Sequence, residues 1–464
     1  MQVYDRESDQ AQFTGIRDTE TSKTLNIITR PSMRNGQFGK AYAGYGTDER
    51  YRAGGQISYF DGDTRLSLIG QTNNINQQNF ASEDLLGVLG SSGRSRWGGR
   101  RGGGRRGGGR SFGGGSTRDF LVNEQNGIAQ THALGLNYND QWGSGTEVSA
   151  GYFFNNTDNV ARQILSQEFL NGRLVAPLYN ENSLTTNLNT NHRFNARIEH
   201  EIDSSNSIIF TPRVSVQLND GNEATLGENT LNELPISITD YRFTPELTAL
   251  DLSGNLLWRH KFARKGRTLS LRLEGGYNEN EGESLLQSEI RSFDLQPGVE
   301  TDTLDQFSDL LSSGIELGAN LTYTEPAGEN ALVSLTYSAD YEEGDSDQRT
   351  FDFSENSQAY DQLNPLLSNT FQTKYQAHRA GLGYQYRGDK FILNSRLYYQ
   401  YAELDNEQMF PTELGLKKTF RNLLPSAFMR YQFSRQENIR LAYRSRTRPP
   451  SVEQLQEVVN NSNP

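Results

Sequence analysis

The chain of 464 residues contains no cysteine and few apolar residues, and each shortage narrows the possible classes of protein. The lack of cysteine removes the usual zinc-binding signatures and suits an oxidising compartment. Only 34% of the residues are hydrophobic and the mean hydropathy is -0.73, which is low for a soluble domain of this size. No uninterrupted apolar run is longer than three residues, which excludes a transmembrane helix.

Signatures of catalysis and of cofactor binding are also missing. The sequence has no Gly-x-Ser-x-Gly element, no phosphate-binding loop and no dinucleotide fingerprint. The histidines never fall at metal-ligand spacing; they are His132, His192, His200, His260 and His378. One acidic cluster offers oxygen ligands for Ca²⁺ but lacks the spacing and glycine of a dedicated loop; it comprises Asp340, Glu342, Glu343, Asp345 and Asp347. We therefore expect no catalytic site, no metal site and no cofactor.

The sequence is rich in aromatic residues and in alternating patterns. With 22 Tyr and 23 Phe, it does not have the composition of a disordered chain. In residues 268–277, apolar and polar side chains alternate: Leu269, Leu271, Leu273 and Tyr277 interleave with Ser270, Arg272 and Glu274. Successive side chains of a strand point to opposite faces of its sheet, so this pattern predicts a strand with one apolar and one polar face.

The same pattern recurs along the chain and predicts fifteen strands. They cover residues 37–46, 51–60, 64–74, 129–139, 145–156, 188–200, 206–219, 249–261, 267–279, 312–325, 330–343, 372–387, 390–403, 420–434 and 437–447. Tight turns and long polar connections alternate between them, except that the first connection is short. This combination is typical of a transmembrane antiparallel β-barrel. A soluble many-stranded sandwich is the structural alternative, but it does not account for the alternation of the connections.

In outer-membrane barrels the short turns face the periplasm and the long loops face outside. We therefore expect extracellular loops at 75–128, 157–187, 220–248, 280–311, 344–371 and 404–419. Trp142 and Trp258 lie in or beside short turns, where an aromatic girdle is expected, although ordinary packing explains each of them equally well. An odd strand count and the lack of a secretory signal peptide after Met1 predict a barrel truncated at both ends.

Several segments resemble a known family. Residues 3–10, 13–15 and 23–29 are similar to the end of a plug domain, and 38–46 with 73–80 to the first barrel strands and loop that follow it. Residues 445–455 resemble a late barrel segment of the same group. By these segments the chain resembles TonB-dependent outer-membrane receptors of the Bacteroidetes-type outer membrane β-barrel family.

The resemblance implies an all-β barrel of 22 strands, of which about 15 are present, filled by a plug and driven through the TonB complex. It divides the chain into a plug remnant at 1–33 and a partial barrel at 34–464. It also implies a plug–barrel junction formed by Lys23, Thr24, Asn26, Ile27 and Thr29. The chain departs from the family pattern in having no TonB box, almost no plug and no closing C-terminal strand.

Polar positions of the predicted strands are candidates for the lining of the barrel lumen. Counting every second position along the predicted strands, the residues on the polar face include Arg65, Arg197, Arg213, Arg272, Glu274, Glu316, Asn320, Arg396, Arg430 and Arg440. In an intact receptor such side chains hold the plug and line the path of the ligand. Solvation of the lumen without contact to ligand is an equally good interpretation of each residue.

Residues 93–115 form a glycine- and arginine-rich segment with twelve Gly and seven Arg, namely Arg94, Arg96, Arg100, Arg101, Arg105, Arg106 and Arg110. Such segments bind nucleic acids in other proteins. Here the segment lies in a predicted extracellular loop, and the remaining chain has a net charge of -19 (-12 minus seven). We expect a disordered surface loop and no nucleic-acid partner. The alternative role is contact with phosphorylated lipopolysaccharide or an anionic ligand.

Together these patterns predict an outer-membrane, TonB-dependent receptor that takes up a bulky nutrient and is not an enzyme. The expected partners are outer-membrane lipid and lipopolysaccharide, the TonB complex, and an extracellular ligand. A ferric chelate, a glycan, a peptide and a vitamin are all compatible with the sequence. The rival interpretation is a surface or adhesion barrel that does not transport. A passive porin is disfavoured because the N-terminal residues resemble a plug.

Overall fold

The computed structural model describes residues 2–16, 21–26, 35–76, 121, 127–168, 177–293, 299–434 and 437–447. At the N-terminus, strand β1 (Gln2–Glu7) pairs antiparallel with strand β2 (Thr21–Asn26). Helix α1 (Asp9–Thr14) lies between these two strands in the sequence. All other described strands belong to one large sheet.

The large sheet has sixteen strands in the described part of the chain. The strands are β3 (Gly36–Tyr45), β4 (Tyr51–Asp61), β5 (Thr64–Asn73), β6 (Ile128–Trp142), β7 (Thr146–Glu168), β8 (Leu178–Glu201), β9 (Asn206–Leu231), β10 (Leu234–Lys261), β11 (Thr268–Phe293), β12 (Val299–Pro326), β13 (Ala331–Ser354), β14 (Ala359–Leu363), β15 (Asn369–Arg387), β16 (Phe391–Phe410), β17 (Leu414–Gln432) and β18 (Asn438–Arg444). Apart from the short β14, they correspond one to one to the fifteen predicted strands.

The strands follow one another through the sheet in sequence order, and every pair is antiparallel. Strand β14 pairs only with β13, beside this path. The all-β antiparallel architecture predicted from the alternation is therefore confirmed. Within the described residues the sheet is not closed, and β3 and β18 form its two edges.

The strands are much longer than predicted, and most of the residues expected in long loops are in strands. Strand β9 continues to Leu231 and β10 begins at Leu234, so only Asn232 and Glu233 connect them. Both connecting residues have positive φ, 53° and 64°, as in the two-residue turns that suit a twisted hairpin. The segments 157–187, 220–248, 280–311, 344–371 and 404–419 thus form mainly extended hairpins, while most of 75–128 lies outside the described residues.

The strands extend beyond their predicted bounds for a physical reason. Alternation of apolar and polar residues marks a strand only where its two faces meet different surroundings. Beyond the apolar part of the sheet many side chains on both faces are polar, as in Asn219–Glu223 of β9, so the sequence carries no sustained period of two there. The backbone hydrogen bonds of the ladder continue regardless, because they do not depend on side-chain polarity.

Cross-strand register assigns every side chain to one of two faces. The apolar face carries Leu269, Leu271 and Leu273 of β11, and the polar face carries Ser270, Arg272 and Glu274. Along one register row of the apolar face, Phe210, Leu256, Leu273, Ala319 and Ala339 are neighbours on five strands. Many side chains of this face are exposed, such as Leu317 at 54% and Leu335 at 56%. An exposed continuous belt of this kind is expected to contact lipid.

The belt lies next to the end of the sheet where the short turns are. From Leu269 to Tyr277 the eight residue steps span about 26 Å along the strand. At a strand tilt of about 40° this is about 20 Å of height, near the ~25 Å apolar band of outer-membrane barrels. Trp142 and Trp258 both lie on this face near the short turns, so the predicted inner girdle fits the register. No helix among the described residues is long and apolar enough to cross a membrane.

Candidate functional site

The candidate site is formed where helix α1 rests on the polar face of the sheet. The helix is only six residues long and is defined by its caps. The Ser8 side chain accepts a hydrogen bond from the backbone N–H of Ala11 at 3.1 Å. Gly15 ends the helix in the left-handed region at φ 72° and donates its N–H to the Ala11 carbonyl. A helix this short is unstable alone, so its contacts with the sheet must stabilise it.

Gln10 joins the helix to two strands that are distant in sequence. Its Nε2 atom lies 3.2 Å from Ser270 Oγ, 3.0 Å from Asn320 Oδ1 and 3.2 Å from Thr322 Oγ1. These three oxygens belong to the neighbouring strands β11 and β12. One amide group thus ties the helix to two strands that are more than 250 residues away in sequence.

Asp9 makes a charged contact with a third strand. Its Oδ2 is 2.6 Å from Arg197 Nη1 on β8. Arg197 also binds Glu199 at 2.8 Å, and Glu199 binds Arg259 of β10 at 2.5 Å. The side chains of Asp9 and Arg197 are 26% and 30% exposed, so solvent only partly screens the pair. The four groups form a chain of alternating charge from the helix across the sheet.

The opposite end of the helix is held by aromatic and amide contacts. The Phe13 ring lies 5.5 Å from the Arg259 guanidinium carbon and 5.8 Å from Lys261 Nζ, both measured to the ring centroid. The Gly15 carbonyl accepts a hydrogen bond from Gln385 Nε2 at 2.8 Å. Ala11 is buried, with 3% exposure. We call the set of contacts between residues 9–15 and strands β8, β10, β11, β12 and β15 the helix latch.

The lumen candidates from the sequence lie on the same face as the helix latch. Arg197 is part of the latch itself, and so is Asn320. Arg272 and Glu274 are adjacent on β11 with 3.8 Å between Nη1 and Oε1, and Glu274 accepts a hydrogen bond from Asn255 at 2.7 Å. The remaining candidates share this face by register: Arg65, Arg213, Glu316, Arg396, Arg430 and Arg440. Within the described part of the chain, Arg65, Arg213, Arg430 and Arg440 make no bond to the helix.

Other predicted residues fall wholly or partly outside the described part of the chain. Lys23, Thr24 and Asn26 of the expected plug–barrel junction are in β2, of which only the backbone is described. Ile27 and Thr29, and the entire Arg-Gly segment 93–115, lie outside the described residues. Among the residues that the structure describes, no group of three or more His, Asp or Glu is placed to hold a metal ion.

The sequence does not predict several latch residues. Gln10 and Phe13 lie within a plug-like segment, and neither Arg259 nor Gln385 is marked by its pattern. The sequence carries two signals for such residues. Ser8 and Gly15 are spaced as the caps of a short helix. Arg259 lies opposite Ser270 in the β10–β11 register and therefore on the same face of the sheet. What the sequence could not give was the pairing of Gln10 with strands β11 and β12.

Residues 260–464 match the model of the Outer membrane protein beta-barrel family. This part contains strands β11–β18 of the sheet. The match confirms the outer-membrane β-barrel type that the resemblance implied for these residues.

Comparison with curated proteins found no match. Among solved structures, the siderophore receptor PiuA from Acinetobacter baumannii is similar at 10% sequence identity and a TM-score of 0.35. The similarity covers 95% of this chain and 81% of that one.

Proposed function

We propose that the sheet is part of the wall of an energy-coupled outer-membrane receptor and that the N-terminal segment is part of its plug. The observation that carries the proposal is the helix latch: an N-terminal helix seated on the polar face, opposite the apolar belt. A segment in that position fills the interior of a barrel wall. The family match over residues 260–464 supports the outer-membrane setting, and a receptor or transporter fits this setting better than an enzyme does.

In this proposal the ligand is bound from the extracellular side, and force transmitted by the TonB complex from the inner membrane displaces the plug. The latch is suited to such release, because it consists of hydrogen bonds, one partly exposed ion pair and cation–π contacts. Each of these contributes on the order of 1 kcal/mol. Their sum holds the helix in place at rest, yet it contains no large apolar interface that would resist removal.

The proposal is tested by the accessibility of the helix in living cells. These 464 residues contain no cysteine, so a single introduced cysteine is the one thiol among them. Ala11→Cys is buried against the sheet, whereas Gln12→Cys on the same helix is exposed. In the full-length receptor, we expect a maleimide dye to label Ala11→Cys faster in energised cells than after a protonophore. Gln12→Cys should be labelled quickly in both.

A second pair of variants separates the latch from a general effect on the sheet. Arg197→Ala removes one charged partner of Asp9 and should raise the labelling rate of Ala11→Cys about tenfold in de-energised cells. Arg213→Ala lies on the same face without contact to the helix and should leave that rate unchanged. Labelling of Ala11→Cys that is slow and independent of the proton gradient would exclude energy coupling and favour the rival, a surface or adhesion barrel.

A further inference from the structure

The polar face of strands β16–β18 is strongly cationic. Its charged side chains in the described residues of these strands are Arg396, Lys418, Arg430, Arg440 and Arg444. Strands β17 and β18 contain no acidic residue. The acidic residues of β16 lie on the opposite face, that of Tyr401; they are Glu403, Asp405 and Glu407. Among the described residues of these three strands, the polar face therefore carries cations and no acid.

Four of these arginines surround a small area of the face. Arg430 lies directly opposite Arg440 in the β17–β18 register. Arg396 and Arg444 share another register row, with Ser426 between them. The two rows are four residues apart along β17, which is about 13 Å, and the outer two of three strands are about 10 Å apart. We call Arg396, Arg430, Arg440 and Arg444 the arginine frame.

The frame differs from the arginines of the helix latch, which have carboxylate partners. Arg197 lies 2.6 Å from Asp9, and Arg259 lies 2.5 Å from Glu199. In the part of the chain that the structure describes, the frame members on β17 and β18 form no ion pair. Like charges directly opposite each other on neighbouring strands destabilise a sheet. The frame therefore carries a repulsive positive charge that an anion would neutralise.

The frame is accessible and lies beside the helix latch. Its two members on β18 are exposed, and the other two are half-buried. Among the described residues, the contacts of the helix latch are with β8, β10, β11, β12 and β15 and not with β16–β18. Gln385, which binds the Gly15 carbonyl, lies opposite Asn394 in the row between the two rows of the frame. A molecule held in the frame is therefore next to the end of the helix.

The chemistry of the frame restricts what that molecule can be. Guanidinium groups bind carboxylate and phosphate oxygens through paired hydrogen bonds. The charges lie in two separate rows, so a molecule with several anionic groups can reach both rows, whereas a single small anion can reach one. A neutral molecule would leave the repulsion between the arginines in place, and a cation would add to it.

We propose that the arginine frame binds a small polyanion, a molecule with several carboxylate or phosphate groups. The inference rests on the proposed receptor function and names the class of its ligand. The anionic groups pair with both rows of the frame, and this position places the ligand beside the segment that must move.

The test uses the full-length protein purified in detergent and isothermal titration calorimetry. The probes are citrate, inorganic tripolyphosphate, neutral maltotriose and cationic spermidine. We expect citrate or tripolyphosphate to bind, more weakly as salt is added, because salt screens exposed charges. Binding of citrate alone indicates a carboxylate ligand, and binding of tripolyphosphate alone a phosphate ligand. If neither anion binds, or if maltotriose binds equally well, the inference is overturned.

Variants locate the binding. Arg430→Gln and Arg440→Gln each remove one charge and should weaken binding of the anionic probe about tenfold or more. Arg213→Gln is the matched control, since it makes the same change on the same face of β9, outside the frame. Equal loss of affinity in this control overturns the assignment.

Stability separates binding from a structural role. Because Arg430→Gln relieves the repulsion with Arg440, it should not lower the urea midpoint of unfolding in detergent. A lower midpoint together with lost binding would assign Arg430 to the fold and overturn the inference.

An acidic segment of the plug is the other possible occupant of the frame. In that case Arg430→Gln would speed the labelling of Ala11→Cys in de-energised cells while neither anion binds the parent protein, and this result overturns the inference. Binding of citrate or tripolyphosphate without gradient-dependent labelling of Ala11→Cys would support the frame and refute the receptor function alone.

Discussion

Single residues at the short-turn end show how charge is arranged outside the apolar belt. Glu325 accepts hydrogen bonds from Arg267 at 2.7 Å and 2.8 Å, and a third from Arg264 at 2.7 Å. Tyr323 donates its hydroxyl to the same carboxylate. The bound Arg267 guanidinium, and then the Tyr323 hydroxyl, lower the pKa of Glu325 to about 2. This cluster joins the β10–β11 turn to the end of β12.

The lowered pKa of Glu325 predicts a pH-dependent contribution to stability. A carboxylate whose pKa is lower in the folded state stabilises the fold above its ordinary pKa, and that contribution is lost as the pH falls through the folded-state value. Glu325→Gln should therefore lower the urea midpoint of unfolding in detergent at pH 6, and the difference from the parent should vanish near pH 2. Because the Glu325 side chain is 29% exposed, solvent screens the cluster and the effect should be small.

The control is Glu329→Gln, which changes a carboxylate in the adjacent turn that has no ion pair among the described residues. It should have little effect at either pH. A difference between Glu325→Gln and the parent that stays constant from pH 6 to pH 2 would contradict the argument.

At the scale of the strands, both edges of the apolar belt carry tyrosines. Each of these tyrosines is followed two residues later by an acidic residue. At the outer edge the Tyr341 hydroxyl donates to Glu343 at 2.6 Å, and Tyr277 and Tyr401 donate in the same way to Glu279 and Glu403. At the short-turn edge Tyr59 donates to Asp61 and Tyr138 to Asp140. The ring remains on the apolar face while its hydroxyl points toward water, as expected for an interfacial tyrosine.

This arrangement predicts the depth of individual positions in the bilayer. In a variant whose three tryptophans are replaced by phenylalanine, Leu273→Trp should be quenched most by lipids brominated deep in the acyl chain. Tyr277→Trp should be quenched most by lipids brominated near the headgroup, because it lies at the belt edge. The same quenching profile for both tryptophans would show that the belt does not end at Tyr277.

At the scale of the whole sheet, the two faces should respond oppositely to charge. Leu317→Lys places an ammonium in the middle of the apolar face and should cost about 2–4 kcal/mol of folding free energy in lipid. Thr336→Lys also introduces a lysine, but on the polar face of the adjacent strand β13, and should cost much less. Unfolding in urea from lipid vesicles measures both. Equal costs would show that the apolar face does not contact lipid.

The limits of sequence reasoning are visible in particular elements. Strand β11 was predictable from Leu269 to Tyr277 because lipid on one side and polar groups on the other impose a period of two. Its continuation to Phe293 was not, because Ser284 and Ser288 resemble loop residues when no apolar face selects a partner. The polar-face position of Arg197 follows from the same count, whereas its bond to Asp9 joins residues 188 positions apart.

The sequence alone determined fifteen of the sixteen strands of the large sheet, their antiparallel order and the polarity of each face. These are local properties, since the alternation of side chains and the short turns act within a hairpin. Only the tertiary structure decided how far the hairpins extend and which strands hold the N-terminal helix. It alone aligned uncharged amide side chains of neighbouring strands, such as Asn191 and Gln217, across the sheet. Such contacts depend on register across the whole sheet, and register is fixed by the sum of many backbone pairs rather than by any single segment.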